Sequence, residues 1–148
     1  MNLSIRTATE NDLESILHLY AQPAMDNGKV LSIDDAKKIF NRMQRYPNYS
    51  VYVVLLNNII VGTFALLIMD NLAHRGTPSG IVEDVVVDEH HHQKGIGKEM
   101  MQFAMQKCRE YGCYKLVLSS NVKRTQAHRF YESLGFSQHG ISFHVDLK

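Results

Sequence analysis

The stretch Val85-Val86-Val87-Asp88-Glu89-His90-His91-His92-Gln93-Lys94-Gly95-Ile96-Gly97-Lys98 decides how this chain folds. Three consecutive β-branched residues read as a strand covered on both faces. A polar loop follows, then two glycines that open a long helix running to Tyr111. Met100, Met101, Ala104, Cys108 and Tyr111 fall on one face of that helix, and Gly112 closes it. Gly95 and Gly97 let backbone amides approach a ligand without a Cβ in the way. The first turn of a helix has amides without internal partners, and the macrodipole adds partial positive charge. Together these make an anion site suited to a pyrophosphate, with Lys94 and Lys98 as nearby cations. A P-loop is excluded, because Gly97-Lys98 is followed by Glu99 and lacks the earlier glycine. A Rossmann turn is excluded by Met100 at the third glycine position. On two glycines alone, a helix start with no ligand is an equal reading.

Outward from this stretch, Leu3 to Thr7 alternates apolar and polar residues, the period of a half-buried strand. Thr9 to Asp12 offers a helix cap with an acid three residues on, ahead of Leu13, Ile16, Leu17 and Tyr20 at helical spacing. Ser32 with Asp35 caps a second helix that stops before Pro47. Residues 50–56 and 59–69 read as strands joined by a tight turn at Asn57-Asn58. Residues 71–80 form a loop, and 81–87 a strand on which Glu83 would face the same side as Val85 and Asp84 the other. Leu116 to Leu118 is a short strand, 124–134 a helix ended by Gly135, and 136–147 a strand completing the sheet. The expectation is one α/β (α+β) domain over residues 1–148. Its central sheet is mixed, mostly antiparallel and twisted, with helices on both faces.

Composition bounds the partners. The 148 residues carry 16 Lys+Arg against 15 Asp+Glu, with no basic stripe for a nucleic acid. Apolar residues at 45% and charged residues at 21% are ordinary globular usage, which excludes wholesale disorder. The longest apolar stretch, Ile59 to Met69, is 11 residues against roughly 20 needed to span a bilayer. The first residues lack a signal-peptide pattern. Cys108 and Cys113 are too few for a disulfide framework or a four-cysteine zinc site. A cytoplasmic protein without membrane or nucleic-acid partners is expected.

The strand, the Gly-x-Gly helix start and, some 30 residues later, Ala127-His128-Arg129-Phe130-Tyr131-Glu132-Ser133-Leu134-Gly135-Phe136 resemble the GCN5-related N-acetyltransferase (GNAT) superfamily. The family's phosphate loop begins with Arg or Gln, where this chain has His92, and a further glycine is common where it has Gln93. The resemblance implies acetyl-CoA as co-substrate. Its pantetheine arm would pair with the backbone of Val85, Val86 and Val87 in a splayed gap between the 81–87 and 115–119 strands. Its pyrophosphate would meet His92 and the amides of Gln93, Lys94, Gly95, Ile96, Gly97 and Lys98. Asn121 and Phe130 match further cofactor-contacting positions. Dimers are frequent among relatives, so a homodimer is expected.

Acetyl transfer to an amine needs a neutral amine, a donor for the developing oxyanion and a proton for the departing thiolate. By resemblance Tyr131 is the proton donor, with an aromatic core role as the alternative. Glu83 is the candidate base through water, with a solvated strand-end carboxylate as an equal reading. His90-His91-His92 cannot converge on one ion from consecutive loop positions, so no metal is expected. Ser119 and Ser120 sit on no nucleophile-elbow motif, and Cys108 lies on the apolar helix face, where packing is its expected role.

Two groups share longer strings. Ser119-Ser120-Asn121-Val122-Lys123-Arg124 with Ala127 to Tyr131 resembles bacterial aminoalkylphosphonate N-acetyltransferases. Val82 to Val87 with Tyr111-Gly112-Cys113-Tyr114-Lys115 resembles glucosamine-6-phosphate N-acetyltransferases. Both imply a small primary amine bearing an anionic phosphorus group, acetylated by direct attack in a ternary complex. A protein or peptide amine, or a non-catalytic acetyl-CoA-binding module, are the competing readings. Arg42, Arg45, His74 and Arg75 are candidate counter-charges, each otherwise a solvated surface charge.

Overall fold

Asn57 and Asn58, with φ of 51° and 68°, make the turn between β2 (Tyr49–Leu56) and β3 (Ile59–Met69). Two consecutive positive φ values match the strand twist of a two-residue hairpin, and asparagine tolerates them. β1 (Leu3–Thr7) pairs antiparallel with β2, and β4 (Ser79–Val87) antiparallel with β3. β5 (Leu116–Val117) adds in parallel to β4, giving a mixed five-stranded sheet in the order β1-β2-β3-β4-β5. The computed structural model describes residues 2–148. Backbone packing groups the chain into two units, one through Val117 and one from Leu118 to Lys148.

In the first unit, helices cover both faces of the sheet. α1 (Leu13–Tyr20) and α2 (Ile33–Met43) bury Leu13, Ile16, Ala36 and Phe40 against Val51, Val53 and Ala65. α2 starts where the sequence places it, the Ser32 hydroxyl accepting from the Asp35 amide at 3.2 Å. α3 (Ile96–Glu110) covers the opposite face with Met100, Met101 and Ala104, all fully buried. There Phe103 meets Tyr52 edge-on at 5.0 Å. Gly80 proves to be a close-approach position: a Cβ added there would collide with the Cys108 sulfur and sit 3.2 Å from Leu116.

Asp12 is the buried charge of this half. Its carboxylate takes two bonds from Arg6, at 2.7 and 3.0 Å, and one from the Thr9 amide at 2.7 Å. The Arg6 pair, opposed by burial and helped by Thr9, holds the carboxyl down at about 2. A depressed folded value means the stabilisation is full above the ordinary carboxylate range and is lost as pH falls through about 2. With solvent reaching the partly exposed Arg6, the increment is about 1–2 kcal/mol. Asp12→Asn should therefore lose about that much at pH 7. Denaturant titration should show the wild-type advantage vanishing between about pH 4 and pH 2; an advantage independent of pH would contradict the ion-pair account.

Two strand boundaries depart from the sequence expectation. β5 contains only Leu116 and Val117, without Leu118. Residues 136–147 form no strand: among the described residues no amide from Ser137 onward donates a backbone hydrogen bond to another. Alternation supplies a strand's side-chain pattern but not the neighbour that completes its ladder. The second unit instead centres on α4 (Thr125–Ser133), closed by Gly135 at φ 100°. Among the described residues no helix is long and apolar enough to cross a membrane.

Candidate functional site

The polar loop after β4 is tied down from both sides. The Asp88 carboxylate accepts from the His90 amide at 2.8 Å. Gln22, just past α1, donates to the carbonyls of Leu19 at 3.0 Å and Val87 at 3.3 Å, and accepts from the Glu89 amide at 2.6 Å. No local sequence pattern marks Gln22, because its partners lie up to 67 positions away. His92, the expected phosphate contact, turns back so that its Nε2 lies 3.2 Å from the Val87 carbonyl.

Gln93 and Gly95 both take left-handed backbone, with φ of 63° and 77°. Gln93 therefore occupies a conformation that suits glycine. A non-glycine residue there costs roughly 1–2 kcal/mol, against an extra chain-entropy cost of glycine of roughly 0.5–1 kcal/mol. Gln93→Gly should thus stabilise the protein by about 0.5–1 kcal/mol, read as a raised urea midpoint. A lowered midpoint would mean that the glutamine side chain itself anchors the loop.

Gly95 caps α3 without a side-chain cap, and its carbonyl accepts the first helical bond, from the Glu99 amide at 3.1 Å. The amides of Ile96, Gly97 and Lys98 precede that bond and have no helical partner. Ile96 is 1% exposed and pins the turn to the core. Beyond its chain neighbours and its own helix backbone, nothing lies within 4 Å of where a Cβ on Gly95 would stand, so the turn is uncrowded on that side. Lys94 and Lys98 are exposed, and neither is in an ion pair among the described residues. Amides without helical partners, a helix N-terminus and two exposed ammonium groups fit a diphosphate.

The strand feeding this turn has a bare edge. The β4–β5 ladder consists of Gly80 opposite Leu116 and Ile81 opposite Val117, and it stops there. From Val82 to Val87, β4 has no strand partner on that side among the described residues. Its unpaired peptide groups can take an extended amide-bearing chain in the manner of an added strand.

The expected separation of Glu83 and Asp84 onto opposite faces is overturned by a β-bulge. Glu83 lies opposite Ala65 and Val86 opposite Thr63, so Asp84 and Val85 together oppose Phe64. Asp84 carries the extra residue with φ 54°, and one inserted residue reverses the alternation beyond it. Glu83 thus shares a face with Val86 rather than with Val85. Both carboxylates act on the Tyr49 phenol, which burial first and then their charges push up. Tyr20 is also raised, by burial and then by Asp84. Burial, followed by the Asp26 charge, pushes the Asp84 carboxyl up in turn. Around the bulge both carboxylates lie within electrostatic reach of the Tyr49 phenol, with Glu83 open to solvent.

In the second unit, Tyr131 is half-buried on α4, its ring 5.2 Å from Phe130 and 5.7 Å from Phe136. Burial raises its phenol, opposed by Arg124, so it stays protonated well past neutral pH. Asn121 uses its side chain locally, accepting from the Lys123 amide at 2.9 Å.

The remaining candidates disperse. His90 lies 3.8 Å from Glu89 and His91 3.7 Å from Asp88. No group of three or more potential ligands gathers for a metal among the described residues. Burial pushes the Cys108 thiol up to about 12, which leaves it a packing group. Arg45 lines a cavity of about 500 Å³ with Tyr46 and Asp70, whereas His74 leans on Tyr114 at a tilt of 38°, ring centroids 4.7 Å apart.

A helix start whose chemistry suits a diphosphate, beside an open strand edge, narrows the comparison with known proteins. The sequence model of the Acetyltransferase (GNAT) family matches residues 13–136. The chain belongs to the GNAT acetyltransferase family. It is 30% identical to a glucosamine 6-phosphate N-acetyltransferase of Trypanosoma brucei brucei, over 99% of this chain and 97% of that protein. It is likewise 30% identical to an aminoalkylphosphonate N-acetyltransferase of Salmonella typhimurium, over 94% of this chain and 88% of the other. A solved putative acetyltransferase from Agrobacterium tumefaciens superposes with a TM-score of 0.90 at 30% identity, over 97% of this chain and 99% of that one.

This GNAT protein is an N-acetyltransferase with acetyl-CoA as co-substrate. The mixed sheet with helices on both faces is the family's fold. The family match crosses the boundary between the two units.

Proposed function

We propose that this acetyltransferase, working as one domain over its whole length, acetylates the primary amine of a small molecule bearing a phosphonate or phosphate. The observation that carries this reading is the Glu83–Asp84 pair beside the bare β4 edge. Paired carboxylates attract an ammonium group and lie on the strand along which the cofactor arm would run. The names of two relatives, each 30% identical over most of the chain, pair an amine with a phosphorus anion. Arg45, in its cavity near the end of β3, is the proposed counter-charge for that anion.

The roles follow from the chemistry. Val85, Val86 and the amides of Gln93 to Lys98 hold the cofactor, with Val87, His92, Asn121 and Phe130 around it. Acetyl-CoA when bound supplies a thioester carbon open to attack. Glu83, through water, takes the proton that an ammonium of pKa about 10 must lose first. The Asp84 carboxylate beside it adds to the negative field that attracts the ammonium. Tyr131 gives its proton to the departing thiolate. The enzyme is proposed to act as a cytoplasmic homodimer.

Thiol release from acetyl-CoA, followed across aminoalkylphosphonates, amino-sugar phosphates, plain amines and peptide amines, tests the acceptor. Turnover should favour the phosphorus-bearing amines. Turnover confined to peptides, or cofactor binding with no release from any acceptor, would overturn the proposal.

A further inference from the structure

The turn that ends α3 brings the chain's 2 cysteines to one another. Gly112, at φ 75°, follows the last helical turn, and its amide donates to the Arg109 carbonyl at 3.0 Å. The next amide, that of Cys113, reaches further back to the Cys108 carbonyl at 2.9 Å. These nested bonds make the Schellman closure, in which the side chains before and after the turn meet. An apolar pair commonly fills those two positions. Here both are free thiols, and the two side chains share a hydrogen bond.

We propose that Cys108 and Cys113 form a reversible redox latch, closed by a two-electron oxidant of the peroxide class and opened by a dithiol. Cys113 stands outside the helix and is only partly buried, whereas Cys108 is buried, so the oxidant meets Cys113 first. The Cys113 thiolate attacks the peroxide, the O–O bond breaks, hydroxide leaves, and a sulfenic acid remains. The Cys108 sulfur then attacks the Cys113 sulfur. The S–S bond forms, the S–O bond breaks, and the departing oxygen leaves as water with the Cys108 proton. Two thiols are oxidised, and one peroxide becomes two waters once the hydroxide regains the proton that Cys113 shed. Burial first, and then the Cys113 charge, hold the Cys108 thiol protonated, so alone it is a packing group. Conversion of Cys113 to a neutral sulfenic acid removes that charge just before Cys108 must release its proton. A sulfenic acid with a second thiol against it is trapped before it oxidises further.

The latch sits where β5 joins the sheet. The Cys108 sulfur packs over Gly80, in space that a Cβ would fill. Gly80 opposite Leu116 is the first pair of the β4–β5 ladder. The chain just past Cys113 makes the other links: the Tyr114 amide donates to the Pro78 carbonyl at 3.0 Å, and the Gly80 amide to the Lys115 carbonyl at 2.9 Å. A bond between the sulfurs would therefore tie the end of α3 to the segment that holds β5 on β4. A disulfide across so short a closure belongs to the labile, regulatory kind rather than the structural kind.

Hydrogen peroxide treatment of the reduced full chain, followed by thiol blocking and peptide mass mapping, tests the chemistry. A link between residues 108 and 113 of one chain is expected, and dithiothreitol should reverse it. In the linked protein, amide hydrogen exchange at Gly80 and Tyr114 should slow by about tenfold. In Cys108→Ala, checked for an unchanged far-UV spectrum, Cys113 should run on to the sulfinic acid. In Cys113→Ala, Cys108 should stay a thiol. Wild-type thiols untouched by peroxide, a link between chains instead of within one, or sulfinic acid in the wild type would overturn the inference. Oxidation of Cys108 in Cys113→Ala would overturn the order of attack. Unchanged exchange at Gly80 and Tyr114 in the linked protein would overturn the latch.

Discussion

Replacing Tyr131 with phenylalanine should lower turnover by roughly 10²–10⁴-fold, the usual worth of a positioned general acid. Acetyl-CoA affinity should stay within about twofold, because the ring that packs against Phe130 and Phe136 is retained. Burial raises the Tyr131 phenol, so the proton is available throughout neutral pH. The alkaline limb of the wild-type rate profile should accordingly fall above the ordinary phenol value of about 10. That limb should be missing from the variant. Steady-state kinetics against pH, with cofactor binding measured by calorimetry, separates the outcomes. Unchanged turnover would remove Tyr131 from the chemistry and leave it a packing residue of α4.

Gly97→Val should weaken acetyl-CoA binding by about 10–100-fold, the equivalent of losing one charge-assisted hydrogen bond worth about 1.5–3 kcal/mol. The Gly97 amide is one of three ahead of the first helical bond, and a branched side chain there would crowd the diphosphate. Valine costs little in intrinsic helix propensity, and Ile96 still anchors the turn, so the melting temperature should move only slightly. Isothermal titration with acetyl-CoA and with CoA reads the effect. Equal losses for the two ligands are expected, since both carry the same diphosphate. Wild-type affinity would move the phosphate site away from the start of α3.

Much of the architecture was legible because its causes are local. Asn57-Asn58 specifies a two-residue hairpin wherever it stands between apolar runs, and Ile59–Met69 emerged with its expected ends. Ser32 reaches its own Asp35 amide. The helix start at Gly95 needed only the freedom of one glycine and a buried Ile96. Gln93 shows the same logic from the other side: the backbone asks for glycine, and this chain departs from it.

What was not legible depended on a partner distant in sequence. Alternation placed Glu83 with Val85, yet the bulge against Phe64 put it on the face of Val86, and both carboxylates act on Tyr49. Gln22 became a tether only because α1 ends near the loop after β4. Gly80 looked like loop punctuation until α3 brought Cys108 over it. The segment after Phe136 has every property of a strand except a neighbour.

The sequence by itself determined most of the element types, the glycine-opened helix start and the family, because propensity, capping and backbone freedom act within a few residues. Tertiary structure alone decided which carboxylates meet, where β4 is left unpaired and which strand goes without a partner. Those are matters of register and pairing, and a strand's register is set by the chain lying next to it.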